Sequence, residues 1–104
     1  INIDSVACCG TDSQVFIDKE SSGLKSSLSE EIEKVGDYHK LIDAEMPMSS
    51  DHGKFYRRDI PTIFMHDTQT LSHHTPMDIP RFLSLERLED VARIILGVII
   101  NSGL

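Results

Sequence analysis

The stretch "LERLEDVARIILGVIIN", residues 85–101, restricts the possible folds more than any other. Leu85, Leu88, Val91, Ala92, Ile95 and Val98 recur at helical spacing and predict an inner apolar stripe. Ile94, Leu96, Ile99 and Ile100 carry apolar surface further around the same helix. A helix that is apolar on most sides is normally covered on most sides, so it needs other layers to pack against. Ser84 stands where an N-cap is wanted, Glu86, Glu89 and Asp90 favour that end through the macrodipole, and Gly103 supplies a stop. The longest apolar run, "IILGVII" at 94–100, is far too short to span a bilayer, which argues against a membrane partner. Apolar surface left over on this helix would drive association, so self-association of the chain is expected.

The rest of the chain supplies the layers. Residues 1–8 read as a strand, with Ile1, Ile3 and Val6 apolar, Asp4 inside it or near its end, and Gly10 ending the run. Residues 14–18, "QVFID", form a second short strand. Residues 21–35 form a helix whose face is Leu24, Leu28, Ile32 and Val35, capped by Ser21 or Ser22 and stopped by Gly36. A strand at 38–43 places Tyr38, Lys40 and Ile42 on one side and His39, Leu41 and Asp43 on the other. A short helix at about 51–58, with Ser50 or Asp51 as cap, precedes the apolar strand "PTIFMH" at 61–66. Residues 67–83 form a long loop, a length usually reserved for function. The order of strands and helices predicts an α/β layered fold.

With 104 residues there is room for one small domain. The opening residues already read as a strand, and a domain seldom opens in the middle of its core, so the chain is expected to be a piece of a longer protein. No signal-peptide pattern is present at its start. The net charge of -7 argues against nucleic acid, whose phosphates need a basic face. Cys8 and Cys9 are adjacent and make no disulfide framework; they read as small buried residues at the end of a strand, and they set no redox compartment.

Three pieces carry candidate chemistry: "INIDSV", "SSDHGKFYRRDIPTIFMH" and "SHHTPMD". Taken singly, Asp4 reads as a strand-end carboxylate, Asp51 and His52 as a helix start, and His73 and His74 as solvated loop residues. Adjacent histidines on an extended chain cannot both face one point, so one is expected to point inward and the other to do something else.

Taken together, in order, the pieces resemble the C-terminal part of the di-zinc aminopeptidases of metallopeptidase family 28, which also holds the glutaminyl cyclases and catalytically silent relatives. The matching residues are "NID" at 2–4, "SDHGKF" at 50–55, "DIP" at 59–61, "HTPMD" at 74–78, and the closing helix after Ser84. The resemblance covers nearly the whole chain. It implies part of a three-layer α/β/α sandwich with a mixed sheet, the zinc exopeptidase fold, truncated on its N-terminal side. Residues 1–104 would then be the C-terminal portion of one catalytic domain.

It also implies two zinc ions in the intact enzyme, and peptide substrates with a free N-terminus. Asp4 matches the private carboxylate of one zinc and His74 the imidazole on the other. His73 occupies the position of an oxyanion-stabilising tyrosine, and an oxyanion role and a pocket-lining role both stay open for it. Asp51, His52 and Asp78 match residues beside the metal site. Asp59 stands where the family often has glycine, which touches only a turn. The family's upstream His-x-Asp and its Glu-Glu pair are absent, since Glu30–Glu31 lies inside a helix. The chain alone is therefore expected to be inactive. The alternatives are a non-catalytic peptidase-like interaction domain and a glutaminyl cyclase-like acyltransferase. Retention of both Asp4 and His74 counts against the first, and the missing tryptophan before His74 against the second.

Overall fold

The computed structural model describes residues 1–8, 12–18, 22–68 and 73–102. Cys9, the strand-ending Gly10, the capping Ser21 and the stop Gly103 lie outside those residues, as does the side chain of Ser22. The elements are β1 (Asn2–Ile3), β2 (Ser13–Ile17), α1 (Ser22–Val35), β3 (His39–Leu41), α2 (Gly53–Tyr56), β4 (Ile63–Asp67), a 3-10 turn (Pro80–Phe82) and α3 (Leu85–Ser102).

One four-stranded sheet runs in the order β1-β4-β2-β3. β2, α1 and β3 form a crossover unit, and the helix between the strands is what allows β2 and β3 to pair in parallel, with Ser13 opposite His39 and Val15 opposite Leu41. β4 lies antiparallel to β2, Val15 opposite Met65, and parallel to β1, Asn2 opposite Phe64. The sheet is thus mixed, and the architecture is α/β, compatible with a zinc exopeptidase-type fold.

Period-two alternation gives the sheet two different faces. Val15, Ile17, Ile63 and Met65 point to one side and are buried under Leu28 and Ile32 of α1 and Val91, Ile94 and Val98 of α3. Leu24 and Val35 pack against this core as their spacing predicted, and Leu41 of β3 packs there too. Gly36, at φ +103°, ends α1, and Ser84 Oγ accepts from the N–H of Arg87 at 3.2 Å as the cap of α3. The other side carries Phe16 and Phe64, covered by Met46 with Ile42, Met48 and Tyr56 around them.

The inner stripe of α3 differs from the expected one. Val91, Ile94 and Val98 are buried, whereas Leu85 is 80% and Leu88 44% exposed, and Ala92 is exposed too. Periodicity alone allowed two stripes on a helix this apolar; the fold buried the one containing Ile94. β1 is also shorter than expected and sits at the sheet edge, with Ile1 and Ile3 exposed. Cys8 is half-buried rather than buried, and its N–H donates to Asp67 Oδ2 at 2.9 Å. No helix among the described residues is long and apolar enough to cross a membrane.

A polar seam crosses the helix-covered face. Register sets Asp67, Ser13 and His39 side by side on β4, β2 and β3, and all three are buried. Tyr38 Oη donates to Asp67 Oδ2 at 2.8 Å, and the Arg87 guanidinium lies 3.8 Å above the Tyr38 ring. Burial, reinforced by the Asp67 carboxylate, pushes the Tyr38 hydroxyl far up, so it stays a donor. Among the described residues neither ring nitrogen of His39 has a hydrogen-bond partner, and Asp90 Oδ2 stands 3.6 Å from Nε2.

Candidate functional site

The site lies on the face opposite α1 and α3, at the carboxyl ends of β1 and β4. These strands are parallel, so their ends fall at the same edge of the sheet. Asp4 follows β1 directly, and its N–H donates to Met65 O at 3.0 Å, prolonging the ladder by one residue. Alternation then sends the Asp4 side chain to the same side as Asn2. Ser5 and Ala7 have left-handed backbones, φ 56° and 63°, and turn the chain away immediately afterwards.

Asp4 is held by a chain of short contacts. Ser50 Oγ donates to Asp4 Oδ2 at 2.6 Å and Ser5 Oγ to Oδ1 at 3.1 Å. Asn2 Nδ2 donates to Ser50 Oγ at 2.9 Å and lies 3.2 Å from His52 Nδ1. His52 Nε2 faces the carbonyl oxygen of Pro47. Nε2 must carry the ring proton to bond a carbonyl, which leaves Nδ1 to accept from Asn2. The ring is buried and stacks on Phe64, centroids 4.0 Å apart. His52 is therefore a brace: through Asn2 and Ser50 it fixes where Asp4 stands. The Ser50 hydrogen bond, opposed by partial burial and supported by Ser5 and the rings of His73 and His66, holds the Asp4 carboxyl below its ordinary value.

This arrangement corrects the reading of Ser50 and Asp51 as helix caps. α2 begins at Gly53, His52 is its cap position and makes no side-chain cap bond, and the Ser50 hydroxyl serves Asp4 instead. The helix is a single turn because Asp59 then adopts φ +58°, a conformation that favours glycine and that aspartate tolerates. Asp51 is exposed and lines a hollow of about 210 Å³ with Ile1, His52 and Phe55, away from the Asp4 carboxylate.

Asp4 and His74 line one cleft of about 420 Å³, together with Ser50, His66 and His73. Both adjacent histidines face it. His74 has φ +58°, and this left-handed turn removes the opposition that an extended chain imposes, so the two rings stack at 3.9 Å. The expectation that only one of the pair could point inward rested on extended geometry that the loop does not have. His73 also borders a smaller groove of about 100 Å³ shared with Cys8 and Asp78. The Asp78 N–H donates to Thr75 O at 3.0 Å and closes the turn.

His66 is the cleft residue that sequence reasoning missed. Its ring packs beside both Phe64 and Phe16, centroids 5.0 and 5.8 Å away, and Nδ1 contacts Asp67 O at 2.8 Å. Nδ1 is then the protonated nitrogen and Nε2 is left as the acceptor. The signal was available: in "IFMHD" alternation puts Phe64 and His66 on one side.

Among the described residues no group of three or more histidine, cysteine, aspartate or glutamate side chains converges as a metal cage would require. The donors that share the cleft, carboxylate oxygen and imidazole nitrogen, are of the type zinc takes. They fit single contributions to a centre rather than a complete one.

No curated protein and no solved structure matches the chain significantly. The family model for peptidase family M28 matches residues 1–99. The match takes in the strand of Asp4, the loop of His73 and His74 and nearly all of α3, and with it the chain belongs to peptidase family M28, a generally zinc-dependent group, which supports a peptidase function in general terms.

Proposed function

We propose that the chain is the C-terminal portion of a zinc-dependent aminopeptidase domain, in which Asp4 and His74 each give one ligand to a two-zinc centre. The observation that carries this is the meeting of Asp4 and His74, far apart in the sequence, in one cleft. Asp4 would hold one ion through its carboxylate and His74 the other through its ring. Bound zinc supplies Lewis-acid polarisation of the scissile carbonyl and a water acidic enough to ionise near neutral pH.

The chain's own residues supply the setting. The Ser50 and Ser5 hydroxyls keep Asp4 ionised and oriented while leaving it further lone pairs, since a carboxylate offers about four. His52, through Asn2, fixes Ser50. His73 donates a ring N–H toward the carbonyl oxygen as charge builds on it. Asp78 and Thr75 close the turn that presents both histidines. The remaining ligands and the general base come from residues outside this chain, so the chain alone does not turn over substrate. Peptides with a free N-terminus are the substrates in this reading.

The test has two arms. In a longer protein containing this segment, Asp4→Ala and His74→Ala should each abolish most zinc-dependent aminopeptidase activity and reduce bound zinc, while His73→Ala should only lower turnover. The 104-residue chain should show no turnover with added zinc. A fully active His74→Ala protein, or zinc-dependent turnover by the chain alone, would overturn the assignment.

A further inference from the structure

Asp67 is a buried acid that the proposed chemistry leaves unused. It follows His66 on β4, and alternation sends its side chain to the helix-covered side of the sheet, behind the cleft. Oδ1 has no hydrogen-bond partner among the described residues, and burying a carboxylate oxygen in that way costs stability. An apolar side chain would suit the core better, so packing alone does not account for an acid at this position.

The other oxygen, Oδ2, accepts two donors, the Cys8 N–H at 2.9 Å and the Tyr38 hydroxyl at 2.8 Å. The Asp67 main chain acts on the same segment, since its N–H donates to Ser5 O at 3.0 Å. Asp67 thus grips the turn at 5–8 at both ends, through its backbone at Ser5 and through its side chain at Cys8. The start of α3 holds the turn as well. The Ser84 N–H donates to Ala7 O at 2.7 Å and Arg87 Nη1 to Cys8 O at 2.9 Å. Arg87 also covers the ring of Tyr38, which steadies the second donor to Asp67.

This turn needs a clamp. Ser5 and Ala7 both have left-handed backbones, neither is glycine, and such residues persist only where their surroundings over-determine them. What depends on the turn is the site. β1 is two residues long, so the strand alone gives Asp4 little support. Ser5 Oγ, aimed by the turn, donates to Asp4 Oδ1 at 3.1 Å. Ser5, Val6 and Cys8 also form one wall of the groove that His73 and Asp78 complete, so the histidine loop stands against the same segment.

We infer that Asp67 is a positioning residue for the site: by clamping the turn at 5–8 from the far side of the sheet, it fixes the direction of Asp4 and the wall beside His73. Amide hydrogen exchange on the chain and kinetics on a longer protein containing this segment test it. In Asp67→Ala, exchange at the Cys8 and Ser84 amides should rise by about tenfold or more while the ladder amides of β2 and β4 keep their protection, because the turn opens locally. Ser84 is the informative position, since its amide bonds Ala7 O and not Asp67. Asp67→Asn keeps an oxygen that can take both donors and should hold both amides within about threefold of the unsubstituted chain. Asp67→Ser, too short to serve both donors, makes the same test where Asp67→Ala does not fold. In the longer protein Asp67→Ala should lower kcat by about tenfold or more with KM changed less than about threefold, and Asp67→Asn should restore it.

Unchanged exchange at Cys8 and Ser84 overturns the inference. So does a loss of protection that spreads over the ladders, or a failure of both short variants to fold, since Asp67 then supports the core as a whole. The kinetic arm rests on the peptidase reading, and Asp4→Ala separates the two. If Asp4→Ala stays active, the peptidase reading fails and the exchange pattern still decides the clamp. If Asp4→Ala is inactive and Asp67→Ala keeps full kcat, the positioning role fails alone.

Discussion

Ile94→Ala and Leu85→Ala make a matched pair on α3, and the structure expects opposite outcomes from them. Ile94 is fully buried, at 0% exposure, beneath the sheet residues of the main core, whereas Leu85 is 80% exposed. Removing three carbons from Ile94 forfeits about 2.4 kcal/mol at roughly 0.8 kcal/mol per carbon. A residual cavity of about 50 Å³ adds about 1.2 kcal/mol, and better helix propensity returns about 0.4 kcal/mol. The net loss is about 3 kcal/mol, a large part of the roughly 5–15 kcal/mol that holds a domain of this size. Taking an m-value of about 1.2 kcal/mol/M in urea, the midpoint should fall by about 2.5 M. Leu85→Ala removes atoms that are already in water and should move it by less than about 0.4 M. Urea titration followed by circular dichroism, at concentrations low enough that association does not contribute, measures both. If Leu85→Ala costs as much as Ile94→Ala, α3 is rotated about its axis from the orientation described. The stripe read from periodicity would then be the buried one.

Two further outcomes concern ionisation. Ser50→Ala removes the main cause holding the Asp4 carboxyl down, so its pKa should rise toward the ordinary 3.8; carboxyl carbon chemical shifts across an acid titration read this, and an unmoved Asp4 would refute the bracing role of Ser50. His39 is kept neutral chiefly by burial, against the pull of Asp90 and Asp67, so its folded pKa lies below the ordinary 6.5. The unfolded chain then takes up the proton first, and this contribution to stability is present above pH 6.5 and lost as pH falls through the folded value. Urea midpoints between pH 8 and 5 should decline, and His39→Leu should flatten the decline; an unchanged slope in the variant would refute it. Glu31 and Asp4 are held low, and their own contributions are lost only further into acid.

The elements with strict alternation or one clear apolar stripe were legible. β2, β3, β4 and α1 lie within a residue or two of where their patterns put them. α3 was legible as a helix but not in its rotation, because Ile94, Leu96, Ile99 and Ile100 left more apolar surface than one stripe needs. Ser50 and His52 read as a helix start because serine before a short helix usually caps it. That the Ser50 hydroxyl instead serves a carboxylate 46 positions away is a tertiary fact with no local signature. The two histidines misled for a similar reason, since a left-handed backbone at a histidine is rare enough that no pattern announces it. The seam of Asp67, Ser13 and His39 depends on register across three strands, which single-strand reading does not reach.

The sheet order has a consequence for how the chain assembles in time. β2, α1 and β3 are consecutive and can close as a local crossover as soon as they exist. β1 precedes the other three strands in the chain, yet among the described residues it pairs only with β4, so it joins this sheet only after Phe64 and Met65 have been made and β4 has paired with β2. Closing so long a loop costs entropy before any contact repays it, which places β1 among the last elements to dock. Asp4 travels with that strand. The cleft is thus completed late, and until then Asp4 and Asn2 together stand apart from Ser50 and the histidines that give the carboxylate a direction.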